Sequence, residues 1–505
     1  MPVANRIKMA PTNATRSNAS SRSDDSLKAG PTGCPAKRVI RMAARDGATI
    51  VGSCSKDNQV RGSTAFITPR SRPGYRGLPR AGLAGRMPEE RARGVSPQLR
   101  IVYWCQFFWP EVSAPSRRLL DFGRVWRELG HQVTIVTGMP NHPSGIVLSS
   151  YRRKLLAREE KDGLRVLRSW VYASPNQAGA KKLFGHISFA LTSLISGLRL
   201  GPTDVLIASS PTFFAAYSAW IVARTRRAVF VLEVRDLWPE AFVGLGVLRR
   251  GRITRVLEEL ARFLYRRSDH IVVVTESFAG RIAAQGIPVS KITTITNGAD
   301  IEWFAADVSV AATTLRHQLG LEHKFVVAYI GAHGVSHGLK SVMEAAARCS
   351  DEHVAFLLVG DGGEKASLEK YRTENNLANV VMLPSQPAES IREFYALADV
   401  CLVPLRDIPL FEAFIPSKMF EIMASGRPII GCLRGEAQRI LERSGAALVV
   451  APESPDALLD AIAVLERSPE RREAMAAAGR PFAAAHYSRR ALGERYASLL
   501  TEAVS

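Results

Sequence analysis

From Leu99 to the end, the chain repeats one pattern: a short, almost wholly apolar run followed by a longer stretch with helical spacing. Such runs occur at Ile101–Trp104, Val133–Thr137, Asp204–Ser209, Ala228–Val234, His270–Thr275 and Ile292–Thr296. A strand flanked by helices on both sheet faces is buried on both sides and so reads as a continuous apolar run. The pattern therefore predicts an α/β fold with a doubly wound parallel sheet. A second series follows at Lys324–Gly331, His353–Gly360, Val380–Leu383, Val400–Pro404, Pro428–Cys432 and Ala446–Val450. The stretch 299–323 between them is largely polar and reads as an irregular interdomain connection. Two Rossmann-like domains are expected, at 99–300 and 301–485, with a C-terminal helix over 486–505. A cleft between the carboxyl ends of their strands is the expected ligand site.

Composition narrows the class. At 505 residues and 46% hydrophobic, the chain has material for two cores. Its formal charge of +20 is unevenly spread: residues 1–98 hold 18 Lys+Arg against 6 Asp+Glu, and the remainder 49 against 41. The body is only mildly basic, which suits anionic substrates or a membrane surface as well as nucleic acid. Residues 1–98, rich in Ser, Arg, Gly, Pro and Ala, read as a disordered basic extension. They form a functional tail, a targeting segment, or translated sequence upstream of a true start at Met87, the last being the favoured account. The six cysteines show no CxxC pair and no Cys/His cluster, so a reducing compartment is expected and a zinc site is not. No apolar run is long enough to span a bilayer.

Chemistry concentrates in a few places. Between Pro416 and Pro428 a short helix is pinned by Ser417 as N-cap and Gly426 at its end, with Pro428 blocking continuation. Lys418 and Glu421 share one face of it, either as an ordinary surface ion pair or as an ammonium and carboxylate facing a ligand. Tyr329-Ile330-Gly331-Ala332-His333-Gly334, with His337, Gly338 and Lys340, is a glycine-rich turn opening a helix; a diphosphate site and a plain turn explain it equally. Val359-Gly360-Asp361-Gly362-Gly363 lacks the dinucleotide fingerprint spacing, and no GxxxxGK[ST] loop is present. Asn141-His142-Pro143 fits a turn at least as well as a site. Leu183–Leu200 is the most apolar helical stretch, with Lys181, Lys182 and Arg199 around it. It reads as a Rossmann helix, with contact to a membrane or lipid tail as the alternative.

Several motifs then fall into one order: Phe108-Trp109-Pro110-Glu111, Gly130-His131-Gln132-Val133, Val234-Arg235-Asp236-Leu237-Trp238-Pro239-Glu240, Thr296-Asn297-Gly298-Ala299-Asp300, Val359-Gly360-Asp361-Gly362, Val403-Pro404-Leu405 and Pro416-Ser417-Lys418 to Pro428. In this order the chain resembles the retaining glycosyltransferases of family 4, which have the GT-B fold, and within them the subgroup that includes N-acetyl-L-fucosamine transferases. The resemblance implies an acceptor-binding first domain and a second domain holding a nucleotide-sugar donor. It places the donor's ribose hydroxyls at Glu421 and the diphosphate at Gly331, His333 and Gly334, with Lys418 nearby. Lys340, Asp361, Gly362, Leu405 and Ser417 complete the implied donor site. Leaving-group charge is met by N–H groups and cations, without a metal, and no protein nucleophile is needed. Asp236 and Glu240 are expected to position or deprotonate the acceptor, or to serve the loop structurally.

Three departures from the family pattern stand out. The first glutamate of its E-x7-E pair falls at Ala413, one residue from Glu412. The usual Arg and Lys after the glycine-rich turn are replaced by His333, His337 and Lys340. The first domain's glycine-rich loop appears as Val112-Ser113-Ala114-Pro115. The resulting expectation is transfer from a UDP-sugar to a saccharide acceptor carried on polyprenyl diphosphate, in the cytoplasm at the inner membrane face, with no nucleic-acid partner. Rival readings are a nucleotide-sugar epimerase or hydrolase, a non-catalytic nucleotide-sugar binder, and a nucleic-acid-binding protein acting through the basic tail.

Overall fold

The computed structural model of the protein describes residues 98–505, apart from 112, 113, 143, 175–179, 211 and 247. The basic extension, Met87, Cys34, Cys54 and the start of the Val112–Pro115 loop lie outside the described residues. The first sheet comprises β1 (Arg100–Trp104), β2 (Gln132–Gly138), β3 (Leu156–Lys161), β4 (Leu164–Ser169), β5 (Val205–Ser209), β6 (Val229–Val234), β7 (His270–Val273) and β8 (Ile292–Thr294), in the spatial order 3-4-2-1-5-6-7-8. All pairings in it are parallel except β3 with β4. The second sheet comprises β9 (Phe325–Ile330), β10 (Val354–Val359), β11 (Val380–Leu383), β12 (Val400–Pro404), β13 (Ile429–Cys432) and β14 (Ala447–Val450). Its strands are all parallel, in the order 11-10-9-12-13-14.

The apolar runs become strands because both of their faces are covered. In β1, Ile101 and Tyr103 pack with Phe122 and Trp126 on one side, while Val102 and Trp104 pack with Phe189 and Ala216 on the other. In β9, Val326 and Ala328 face one core of the second domain and Val327 and Tyr329 the other. Strand order reverses at β1/β5 in the first sheet and at β9/β12 in the second. The loops leaving those strands therefore splay apart into crevices.

One expectation is corrected here, and one hairpin was not foreseen. The strands β3 and β4 left no apolar run: β3 is an edge strand reading Leu-Ala-Arg-Glu-Glu-Lys, and β4 carries a fully buried Arg168 paired with Glu159 across the hairpin. The stretch 299–323 is not irregular but carries two helices, Ile301–Ala305 and Ser309–Gln318. The first is capped by Asp300, which accepts from the Trp303 N–H at 3.1 Å. Ile301, Phe304, Val308, Ala312, Leu315 and Leu319 recur there at helical spacing among many polar residues, so the helical period was present in the sequence.

The chain crosses between the domains twice, and the crossings lie side by side. Ala299 N–H donates to the Tyr487 carbonyl and Arg489 N–H to the Ala299 carbonyl, both at 2.9 Å. A Cβ at Gly298 would overlap the Tyr487 carbonyl, so only glycine lets the two strands meet. After the second crossing, the helix Arg489–Val504 returns to the first domain. There Tyr496 packs edge-on against Trp126 and Phe122, and Trp126 Nε1 donates to the Gly493 carbonyl at 3.0 Å.

Candidate functional site

Two turns at the carboxyl end of the second sheet lock together through their glycines. Gly331 (φ +144°) follows β9 and Gly360 (φ +149°) follows β10. A Cβ on Gly360 would overlap the Gly331 carbonyl, and one on Gly362 would overlap the His333 carbonyl. Backbone bonds then close the pair: His333 N–H donates to the Asp361 carbonyl and Glu364 N–H to the His333 carbonyl, each at 2.9 Å. Asp361 spends its carboxylate on the Ser385 N–H, 2.7 Å away, and Lys365 Nζ donates to the Gly360 and Leu383 carbonyls at 3.0 and 2.7 Å. Asp361 and Lys365 thus build the turn. Beside Gly334 the space is open, with nothing within 4 Å of where a Cβ would stand.

Into this corner projects the helix Lys418–Ala424. Its inner side chains Met419, Phe420, Ile422 and Met423 are buried in the core of the second domain, which fixes its rotation. Gly426 has φ +63°, as a left-handed C-terminal residue should. Ser417, however, is not a capping residue: it is itself helical in backbone conformation and its side chain makes no capping bond. With Pro416 before it, the backbone already turns, and the Ser417 carbonyl accepts the Phe420 N–H at 3.2 Å.

Lys418 and Glu421 do not pair with each other. The Lys418 Nζ is buried, has no hydrogen-bond partner and stands 3.6 Å from the centre of the Tyr329 ring. Burial, only partly offset by the Glu421 charge, pushes its pKa down to about 7. Two histidines adjoin it. Neither ring nitrogen of His333 has a partner, and Nδ1 of His337 has none. Burial first, and then nearby ammonium groups (Lys365 for His333, Lys418 for His337), lower their pKa values to about 4 and about 3. Buried polar groups normally find partners. Lys418 and His333, left wholly without them, and the free Nδ1 of His337, whose ring is otherwise bonded to the Pro404 backbone, surround one glycine-lined corner and are arranged to receive an acceptor-rich, anionic ligand. The helix Leu339–Arg348 begins beside them at Gly338, with no side chain capping it.

Glu421 is held elsewhere. Arg489 Nη2 donates to its Oε1 at 3.0 Å and the Tyr395 hydroxyl to its Oε2 at 3.3 Å. Leu405 is buried in the core of the second domain, and its N–H is spent on the Cys432 carbonyl at 3.0 Å. Lys340 is not part of the cluster: it is largely exposed and pairs with Glu344 one helical turn on. Ala413 is buried against the first domain's core, where Phe414 meets Phe278 edge-on, and the neighbouring Glu412 is exposed. The methyl group at 413 thus serves the contact between the domains. Tyr329 stood at the head of the glycine-rich turn without a role of its own, and Tyr395 and Arg489 were not foreseen. Tyr395 lies hidden in an apolar run, and Arg489 is 68 residues from the carboxylate it holds.

On the first-domain side, Glu111 organises the loops leaving β1 and β2. Its Oε1 accepts the N–H groups of Asn141 and His142, each at 2.8 Å, and its Oε2 that of Phe108 at 3.1 Å. Burial raises its pKa despite those bonds. His142 packs on Phe107, and His186 Nδ1 lies 2.7 Å from Gln106 Oε1, so several polar rings gather there. Asp236 lies apart, on the wall of a narrow apolar cavity with Phe213, Leu232, Trp238, Leu264 and Tyr265, all of the first domain. Burial raises its pKa. Glu240 pairs with Arg281.

The family model described as a glycosyl transferase 4-like domain matches residues 113–298, and the model for glycosyl transferases group 1 matches 312–482. Among curated proteins, WcaI of Escherichia coli (strain K12), assigned to colanic acid biosynthesis as a glycosyl transferase, is 28% identical over 66% of this chain and 84% of its own. WbjE of Pseudomonas aeruginosa, described as a glycosyltransferase, is 27% identical over 47% of this chain and 61% of its own. Among solved structures, Anabaena HepE in complex with UDP and glucose superposes with a TM-score of 0.61 at 18% identity, covering 80% of this chain and 99% of HepE. WaaG, a glycosyltransferase of lipopolysaccharide biosynthesis, gives 0.58 at 13% identity, covering 79% and 99%. The fold is that of these proteins: GT-B, two parallel α/β domains about a cleft.

Proposed function

This chain belongs to glycosyltransferase family 4, and from that membership we propose that it moves a sugar from a UDP-sugar to a saccharide acceptor on polyprenyl diphosphate, with retention of configuration, in the assembly of a cell-surface polysaccharide. The observation that carries the donor half is the cluster of Lys418 Nζ, both ring nitrogens of His333 and Nδ1 of His337, buried and without hydrogen-bond partners beside the Gly331 and Gly360 turns. A diphosphate supplies the missing acceptors. Glu421, with its carboxylate steadied by Arg489, takes the ribose hydroxyls. The bond from the sugar's anomeric carbon to the phosphate oxygen breaks. The acceptor hydroxyl bonds to that carbon from the same face, and its proton passes to the departing phosphate. Lys418 and the N–H groups at Gly338 stabilise the leaving charge, with no divalent ion taking part. WcaI is the reason to place the reaction in polysaccharide assembly, and the complex of HepE with UDP the reason to begin with that nucleotide.

The lipid half rests on a separate surface. Leu183, Phe184, Leu191, Ile195 and Leu198 are exposed along the helix Ala180–Gly197 and just past its end. Exposed Trp170 joins them, its carbonyl accepting the Thr192 hydroxyl at 2.6 Å. Every charged residue in 163–203 is basic, and the exposed Arg152, Arg153 and Lys154 lie just before β3. An apolar stripe with a basic rim suits the interface of an anionic bilayer. Among the described residues no helix is long and apolar enough to cross a membrane.

The deciding experiment incubates the protein with a panel of nucleotide sugars and bacterial lipid extract, with and without a chelator, and identifies by mass which lipid gains which sugar. UDP-N-acetyl-deoxyhexosamines, suggested by the fucosamine subgroup, come first. Transfer that persists in chelator is expected. Release or isomerisation of the sugar without any lipid product would favour the hydrolase or epimerase reading. No turnover of any donor would sink the transferase.

A further inference from the structure

The same donor site has an unassigned support on the far side of the hinge. We infer that Arg489 is a positioning residue that holds Glu421 ready for the nucleotide's ribose and ties that carboxylate, through Asp121, to the first domain. This rests on the reading of Glu421 as the ribose ligand.

The guanidinium is nearly buried, 7% exposed, and each of its three nitrogens has a different partner. Its Nε donates to the Gly298 carbonyl at 2.8 Å, on the first chain crossing. Its Nη1 donates to Asp121 Oδ2 at 2.7 Å, on the first-domain helix Ala114–Glu128. Its Nη2 donates to Glu421 Oε1 at 3.0 Å, on the second-domain helix. Arg489 itself stands on the second crossing, where its N–H is bonded to Ala299. One rigid planar group thus joins both domains and both strands of the hinge.

Such an arrangement does more than fill space. A carboxylate that grips two vicinal hydroxyls must keep one orientation, and a charge-assisted bond to arginine secures it. The other hold on Glu421, the Tyr395 hydroxyl at 3.3 Å, is long and neutral. Lysine at 489 has no fork and could not reach three partners in three directions. Asp121 is also approached by Arg117 at 3.9 Å and Arg124 at 3.6 Å, so its charge is compensated without Arg489. What Asp121 adds is the fixed direction of the guanidinium. Arg489 thus makes the direction of Glu421 depend on Asp121 of the first domain.

The test measures binding of UDP and of 2′,3′-dideoxy-UDP by calorimetry to the full chain and to Arg489→Lys, Asp121→Asn and Glu421→Gln. In the unaltered protein UDP binds more tightly than the dideoxy analogue. Arg489→Lys and Asp121→Asn each weaken UDP by roughly three- to tenfold, the size of one ordinary hydrogen bond, and leave the dideoxy analogue unchanged. Asp121→Asn added to Glu421→Gln produces no further loss. Equal weakening of both nucleotides, or unchanged UDP binding in the two variants while Glu421→Gln loses it, overturns the role of Arg489. If the unaltered protein fails to distinguish the two nucleotides, the ribose reading of Glu421 falls, and the inference with it. Asp121→Asn carries the test should Arg489→Lys fail to fold, since Asp121 keeps Arg117 and Arg124 as neighbours.

Discussion

At the scale of single residues, the informative fact about Lys418 is what it lacks. An ammonium pressed against a tyrosine ring with no acceptor in reach is costly to keep charged, and its pKa of about 7 expresses that cost. A bound diphosphate reverses the balance. Below pH 7 the empty site already carries the charge, whereas above it binding must take up a proton. Nucleotide affinity should therefore weaken as pH rises from 7 towards 9, a slope that calorimetry in buffers of different ionisation enthalpy would register. In Lys418→Arg, whose side chain stays charged throughout, the slope should vanish; its persistence would exclude Lys418 as the titrating group. Lys418→Ala and Glu421→Ala should each lower kcat/KM by more than about tenfold, and near-normal turnover would return both to structural roles. Spacing placed Lys418 and Glu421 on one short helix. Their separation into an unpaired ammonium and an arginine-held carboxylate depends on Tyr329 and Arg489, which lie far away in the chain.

At the scale of elements, the site is made by turns that only glycine permits. Gly331 and Gly360 both have backbone angles that a side chain strains, and the Cβ of Gly360 would overlap the neighbouring turn. Gly360→Ala is expected to cost on the order of 1–3 kcal/mol and to abolish nucleotide binding, both visible in a thermal melt with and without UDP. A Gly334→Ala protein, with open space beside its Cβ, should melt like the unaltered one; its UDP affinity would then report directly on ligand contact. The glycine motifs were visible in the sequence. Their mutual packing was not, since the two turns sit at the ends of neighbouring strands rather than neighbouring segments.

At the scale of the whole molecule, the last helix binds the architecture together. Leu492, Tyr496 and Leu500 complete a core of the first domain, although the chain has by then traversed all of the second. Tyr496→Ala should destabilise the protein by about 3–5 kcal/mol, as loss of a buried aromatic ring does. In chemical denaturation the first domain should unfold early while nucleotide binding by the second outlasts it. Loss of both in one transition would mean that the crossings couple the domains more tightly than this. On the outer surface, Leu191→Glu with Ile195→Glu should abolish sedimentation with phosphatidylglycerol vesicles and spare UDP binding. Unchanged sedimentation would overturn the membrane role of the stripe.

The amino-acid sequence by itself determined the two doubly wound sheets, because burial on both faces demands unbroken apolar runs and those are local. It also determined which short segments carry the glycines and the Lys418–Glu421 helix. It left β3 and β4 unread, because a charged edge strand and a buried Arg168 both erase the local apolar signal. Only the tertiary structure decided that Lys418 is unpaired, that Lys340 points away from the cluster, and that Arg489 holds Glu421. Each of these depends on which side chains converge at a strand-order reversal or a hinge. Convergence of that kind brings together residues tens to hundreds of positions apart, and no local pattern encodes it.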